Sequence, residues 1–186
     1  MIILNNVSVD YNDNKILTNV NMYCMPWNIT ILQWPNWGWK SSILKTIIWE
    51  KNNYSWEISL NKSSYLEWID SKKKKHVFWY LPQSNLLFEH LTCYENIQLP
   101  FLYDGNDIKI EEINYYITYF NLDKIINKYP HEISLWQKQL IAFIRTILID
   151  SQYLLLDEPT SALDLKNIAK VKQIILKLKH HNKTIL

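Results

Sequence analysis

Lys40, Ser41 and Ser42 stand where an apolar stretch, Ile29 to Gln33, gives way to a helical pattern from about Ser41 to Ile48. A lysine and a hydroxyl at the start of such a helix can handle phosphates. The ammonium reaches β- and γ-phosphate oxygens and the hydroxyl holds Mg²⁺. Backbone N–H groups of the preceding loop and the helix dipole supply the rest of the cradle. The spacing this needs is GxxxxGK[ST]. The stretch Trp34-Pro35-Asn36-Trp37-Gly38-Trp39-Lys40-Ser41-Ser42 meets it except that Trp34 and Trp39 replace both required glycines. Taken alone, Lys-Ser-Ser is more commonly a surface helix cap. A second cluster, LLLDE from Leu154 to Glu158, is an apolar run ending in two acids. Asp157 can enter a Mg²⁺ shell and Glu158 can polarise an attacking water. The plain alternative is that these acids cap the next helix.

The elements that must position these groups follow from periodicity. Ile2 to Tyr11 alternates apolar and polar residues and reads as a strand, and Ile29 to Gln33 as a second. Short strands are expected through Leu60, and another over Val77 to Leu81. Ile113, Tyr116, Ile117 and Phe120 recur at helical spacing within Ile108 to Leu122. Ser134 is the expected N-cap of a helix reaching about Ile149. Tyr153 to Leu156 reads as a strand buried on both faces, as in a parallel sheet. A helix over Leu165 to Lys179 and a strand starting at Lys183 close the pattern. Strands alternating with helices imply an α/β domain with a largely parallel sheet, and the succession of helices over roughly 90–149 implies a helical lobe.

Composition narrows the class. A chain of 186 residues fits a single domain, and 48% apolar with 20% charged residues is ordinary for a globular protein. A net charge of +2 gives no bulk attraction to nucleic acid, and the short basic run Lys72 to Lys75 reads as a solvated loop. Cys24 and Cys93 form no CxxC pair, which speaks against a zinc site or a disulfide scaffold. No stretch is long and apolar enough to span a bilayer, and the first residues lack a signal-peptide pattern. The expected location is cytoplasmic, with membrane contact only through a partner. Abundant Lys, Asn, Ile and Tyr with Arg145 as the single Arg read as the mark of an AT-rich genome.

Five motifs in order resemble those of the ABC-type ATPases, across essentially the whole chain. They are the stretch before Lys40, Gln83 in YLPQSNLLFEHLTCYENI, Ser134-Leu135-Trp136-Gln137 against the signature LSGGQ, and DEPTSALD (Asp157 to Asp164) against Walker B and the D-loop. The fifth is Tyr11, placed where the family stacks an aromatic ring on adenine. The resemblance implies a P-loop ABC-type fold with an N-terminal antiparallel β portion, a mainly parallel core sheet and a helical signature lobe. It implies ATP and Mg²⁺ as ligands. Tyr11, residues 34–42, Ser134, Trp136, Gln137 and Asp164 would contact the nucleotide, and Ser41, Gln83 and Asp157 the metal ion. Gln83 and Glu158 would serve catalysis. Two such domains would pair head to tail, so that the Lys40 side of one is closed by the Ser134 side of the other, and a transmembrane permease would be the second partner. LTCYENIQLPFLYDG after Gln83 leans towards the lipoprotein- and macrolide-export type.

The departures have a pattern. Trp34, Trp37 and Trp39 stand at phosphate-loop glycines and Trp136 at the second signature glycine. Trp27, Trp49, Trp56 and Trp79 also fall where relatives usually carry Gly, and Trp68 has no such assignment. Two glycines and nine tryptophans together give eleven residues, against roughly 13 glycines expected at about 7% of a chain this long. Loops of this kind need φ > 0 or close backbone approach to ligand, and an indole permits neither. Decay of a dead paralogue would scatter substitutions over many residue types. One residue replacing one other instead points to a codon, since UGA means Trp in some genetic codes and Gly in others. We therefore expect the natural protein to carry Gly at most of these positions. The family places a switch histidine just after a strand such as Lys183 to Leu186. The chain stops there, and His180 and His181 precede it as helix-end residues. The expectation is that either the sequence is a fragment ending before that histidine or the switch is missing.

Three functions compete at this point. The leading one is an ATP-hydrolysing transport subunit whose permease sets cargo and direction. The second is a catalytically inactive scaffold that occupies the permease site. ABC-type ATPases of DNA repair or translation fit less well, because they carry coiled-coil insertions or tandem domains.

Overall fold

The structure, a computed structural model, describes residues 1–11, 14–33, 39–48, 54–60, 63–64, 78–84, 87–104, 107–149, 151–181 and 183–186. The chain divides into two compact units: Met1–Tyr80 with Ser151–Asp157 and Leu178–Leu186, and Leu81–Asp150 with Glu158–Lys177.

The first unit opens with β1 (Ile2–Tyr11), antiparallel to β2 (Asn14–Cys24) on one side and to β3 (Tyr54–Leu60) on the other, with β4 (Ser63–Ser64) beyond β3. The expected antiparallel β portion is present. The alternation expected along β1 is broken once: Ile2 and Leu4 are buried, and so are Val7 and Val9. A register shift between Leu4 and Val7, with Asn6 at φ 50°, inserts the extra residue that returns both pairs to one face. A compensating shift in β2 lies at Asn19, φ 52°. Asn tolerates this left-handed region, and both backbone and side chain are used. Asn6 N–H donates to Asn21 Oδ1 at 2.9 Å while Asn6 Oδ1 accepts from Asn21 Nδ2 at 3.3 Å. Asn19 N–H donates to Ser8 Oγ at 3.0 Å while Asn19 Oδ1 accepts from the Ser8 hydroxyl at 3.4 Å. This disturbed period explains why β2 has no clear signature in the sequence.

The second sheet of this unit has the order β5 (Phe78–Leu81), β6 (Tyr153–Leu156), β7 (Thr184–Ile185), with β6 and β7 parallel. All four residues of β6 are buried, as the unbroken apolar run predicts. The strand expected over Ile29 to Gln33 is instead a single parallel bridge, Ile29 to Ile185. Its two bonds run from Thr30 N–H to Ile185 O and from Ile185 N–H to Asn28 O. With β7 only two residues long, the segment gains one rung, and Ile31 beyond it is 73% exposed. Helix α1 (Trp39–Ile47) buries Ile43, Leu44 and Ile47 in one core with Ile2, Leu4, Val9, Tyr153 and Leu155.

The second unit is helical: α2 (Cys93–Asp104), α3 (Ile110–Phe120), a 3₁₀ turn (Pro130–Glu132), α4 (Leu135–Ile147) and α5 (Leu165–His180), whose last turn belongs to the first unit. On α3 the buried residues are Ile113, Ile117 and Phe120, three of the four positions the spacing predicts, while Tyr116 is half-buried; Asn121 closes the helix in the left-handed conformation. Phe120 meets Phe143 of α4 edge to face, with ring centroids 6.4 Å apart. Lys170 of α5 lies over the Tyr119 ring, and Tyr119 Oη donates to Gln173 at 2.9 Å. Among the described residues no helix is long and apolar enough to cross a membrane.

Cys24 and Cys93 are buried free thiols. Burial pushes both up, Cys93 from 9.0 to about 11. The folded chain therefore keeps the Cys93 proton where the unfolded chain loses it. Stability from this group is complete below pH 9 and falls as pH rises towards about 11. Iodoacetamide near pH 8 is expected to leave both thiols unmodified in the native protein and to modify both in denaturant, read by intact mass. Rapid native labelling of Cys93 would contradict its burial.

Candidate functional site

In the first unit Lys40 and Ser41 occupy the first turn of α1, both partly buried, and Ser42 is buried. Core packing by Ile43, Leu44 and Ile47 fixes the helix axis, and Thr46 Oγ1 donates to Ser42 O at 2.7 Å within it. Of Trp39 only the backbone is described, as the first residue of α1, and of Tyr11 only the backbone, paired with Asn14 at the end of β1. Trp34, Pro35, Asn36, Trp37 and Gly38 lie outside the described residues. Asp157, 4% exposed, directly follows β6, where strand geometry leaves a side chain at the carboxyl end of a parallel sheet. Its Oδ2 accepts a hydrogen bond from Tyr80 Oη of β5 at 3.1 Å. No sequence signal links these residues, which are 77 apart along the chain.

In the second unit Gln83 and Glu158 come together, Gln83 Nε2 donating to Glu158 Oε2 at 3.0 Å across 75 residues. Glu158 sits at φ 50°, a left-handed conformation that costs a residue with a Cβ about 1–3 kcal/mol. The acids do not cap the next helix. That role falls to Asp164, whose Oδ1 accepts Asn167 N–H at 2.8 Å at the start of α5. Ser134 is the N-cap of α4, as predicted, with φ −71° and ψ 161°. Gln137 Oε1 accepts both Ser134 N–H and Ser134 Oγ–H at 2.9 Å, so these two side chains stabilise the helix start. Trp136 lies in the first turn, 36% exposed.

Beyond Gln83 a loop is fixed by buried Asn96. Its Oδ1 accepts Phe88 N–H at 2.8 Å, and its Nδ2 donates to Phe88 O, Leu91 O and Thr92 O. Thr92 and Glu95 form a complete capping box at the start of α2. The Thr92 N–H and hydroxyl hold the Glu95 carboxyl below the usual carboxylate range. The sequence expectations include neither feature: the T-x-x-E spacing is a local signal they pass over, and the Asn96 clamp leaves no period, because one side chain reaches loop carbonyls.

The tryptophans divide by backbone. Trp27 has φ 55° and is 59% exposed, and its N–H donates to Thr184 Oγ1 at 3.2 Å. It stands in the region that favours glycine. Trp56 lies in β3 and Trp79 in β5, while Trp39 and Trp136 are helical. For these the left-handed argument does not apply, and at Trp136 what remains is the bulk of an indole in the first turn of a helix. Trp49 and Trp68 lie outside the described residues.

The sequence profile described as ABC transporter matches residues 17–161. A spermidine/putrescine import ATP-binding protein from Thermotoga maritima is 29% identical over 176 residues, covering 93% of this chain and 46% of its own length. The chain spans about half the length of the curated relatives it matches. Among solved structures, an ATP-binding subunit of an ABC transporter superposes with TM-score 0.84 at 22% identity, over all of this chain and 77% of its own. A dimeric bacterial ABC transporter cassette superposes with TM-score 0.81 at 26% identity, over all of this chain and 86% of its own. A profile match over most of the chain, with Lys40 on the first turn of α1, Asp157 at the end of β6 and Glu158 beside Gln83, leads to one assignment: the chain belongs to the ABC transporter family and has the fold of its ATP-binding domain.

Proposed function

We propose that the protein is a nucleotide-binding domain that hydrolyses ATP and drives a separate membrane permease. The observation that carries this reading is the Gln83–Glu158 hydrogen bond, which puts a carboxylate and an amide of the expected catalytic pair together. In this reading Lys40 pairs the β- and γ-phosphates from the α1 N-terminus, and residues 34–39, Ser41 and Ser42 complete the cradle. Tyr11 stacks on the base. Ser134, Trp136 and Gln137, with Asp164, contact the nucleotide of a second copy in a head-to-tail pair. Glu158 accepts hydrogen bonds from the attacking water, and Gln83 fixes the carboxylate that does so.

The donor set suits Mg²⁺. In the first unit Ser41 offers a hydroxyl and Asp157 keeps Oδ1 beside the Oδ2 that Tyr80 occupies; in the second, Gln83 keeps Oε1 while its Nε2 faces Glu158. These are hard oxygens, few in number, as in sites that leave the other positions to phosphates and water. Bound there, the ion would neutralise charge developing on the phosphates. The permease would place the domain on the inner face of the membrane. The export-type leaning gains nothing from the Thermotoga relative, whose name is that of an importer.

We further propose that positions 34, 37, 39 and 136 are glycine in the natural protein, supported by the left-handed backbone at Trp27. The test is Mg²⁺-dependent ATP turnover by the chain with those four glycines. Turnover lost on Lys40→Ala supports the proposal. Nucleotide binding that never leads to phosphate release would favour the inactive-scaffold reading.

A further inference from the structure

The side chain of Gln139, on α4, is 2% exposed and spends its amide on one short segment. Nε2 donates to Glu158 O at 2.9 Å and to Ser161 Oγ at 3.2 Å, and Oε1 accepts Ala162 N–H at 2.9 Å. Ser161 N–H also donates to Glu158 O at 3.2 Å, so that carbonyl is held from two sides. It belongs to the residue at φ 50°. Fixing the carbonyl of a residue with set φ fixes its ψ, and with it the direction of the Cα–Cβ bond. In Glu158 that direction sends the carboxylate to Gln83 Nε2.

We infer that Gln139 is a positioning residue: it holds Glu158 in the strained backbone conformation that aims its carboxylate, and it ties that conformation to the helix capped by Ser134. Without the Gln139 bonds Glu158 would relax towards right-handed φ, where a residue with a Cβ is lower in energy. The tie runs along one rigid element. Ser134 begins α4, Gln139 lies further along it, and the buried face from Gln139 to Ile144 seats the helix in the unit. A nucleotide contact at Ser134 that shifts α4 therefore shifts Glu158 O, Ser161 and Ala162 with it. Gln139 itself touches no substrate in this scheme. The inference rests on the reading of Glu158 as the residue that orients water.

Three variants test it on the full chain. Gln139→Leu keeps the size and removes every hydrogen bond. Gln139→Glu keeps an acceptor for Ala162 N–H and removes the donors to Glu158 O and Ser161. Thr146→Val, deeper on α4, removes a buried bond to Ala142 O and reaches nothing in 158–162. Amide hydrogen exchange at Ala162 is expected to speed up by about 10-fold or more in Gln139→Leu and to stay slow in Gln139→Glu and Thr146→Val. With glycine at positions 34, 37, 39 and 136, both Gln139 variants are expected to lower kcat for ATP by about 10- to 100-fold at unchanged KM, the mark of an interaction made only in the transition state. Thr146→Val should lower melting temperature without that kcat loss. Unchanged Ala162 exchange in Gln139→Leu, or an equal kcat loss in Thr146→Val, would overturn the inference. Absence of turnover in the parent would instead overturn the role given to Glu158, and the exchange measurement would then decide alone whether Gln139 holds the segment.

Discussion

Replacing Trp34, Trp37 and Trp39 with glycine is expected to tighten ATP binding by at least about 100-fold, because glycine lets backbone N–H groups approach the phosphates, and three such contacts at ~1 kcal/mol each amount to roughly two decades in affinity. Adding glycine at 136 should then permit the nucleotide-dependent pairing of two chains. Equilibrium binding of a fluorescent ATP analogue reads the first effect and sedimentation the second. The comparison also separates a blocked phosphate loop from decay. In a decayed paralogue, glycine at these positions restores little, since other losses would remain. Trp27 supplies an independent control. It is 59% exposed with φ 55°, so glycine there relieves about 1–2 kcal/mol of left-handed strain with little apolar burial lost. Glycine's own backbone entropy offsets about 0.5–1 kcal/mol of that. A small net gain in urea stability is the expected result for Trp27→Gly, and a loss would show that the indole is part of the native packing.

The second large effect belongs to Glu158. In the glycine form, Glu158→Gln is expected to cut ATP hydrolysis by about 10²–10⁴-fold, the usual worth of a positioned general base. ATP binding should persist, because the substitution keeps the shape of the side chain and leaves Lys40 and Asp157 in place. Gln83→Ala should fall between parent and Glu158→Gln, since it removes the 3.0 Å bond that fixes the carboxylate but not the carboxylate itself. Single-turnover phosphate release in paired chains separates these from effects on binding. A Glu158→Gln form that still turns over at the parent rate would place the base elsewhere.

Much of this arrangement is legible in the sequence. The i, i+4, i+7 face of Ile113, Ile117 and Phe120 gave α3, the unbroken Tyr153 to Leu156 run gave a strand buried on both sides, and Ser134 gave the start of α4. Each is a local signal of period or cap. What escaped depends on partners distant in the chain. β2 hides because its apolar residues Leu17, Val20, Met22 and Cys24 change phase at Asn19, and that bulge answers another in β1. Ile29 to Gln33 has the composition of a strand, but its ladder is limited to one rung against β7. At the site, motif order named Gln83, Asp157 and Glu158. It could not name Tyr80, Asn96 or Gln139, whose roles are side-chain hydrogen bonds, among them ones that reach across 77, 8 and 19 residues.

Everything proposed for nucleotide chemistry depends on which residue stands in the phosphate loop and the signature of the protein as the cell makes it. Peptide mass sequencing of the natural protein across residues 27–56 and 131–145 measures this directly. Glycine is expected at 34, 37, 39 and 136. Tryptophan at those positions would contradict it, leave no room for phosphate beside Lys40, and turn the chain into an ATP-binding fold that does not hydrolyse ATP.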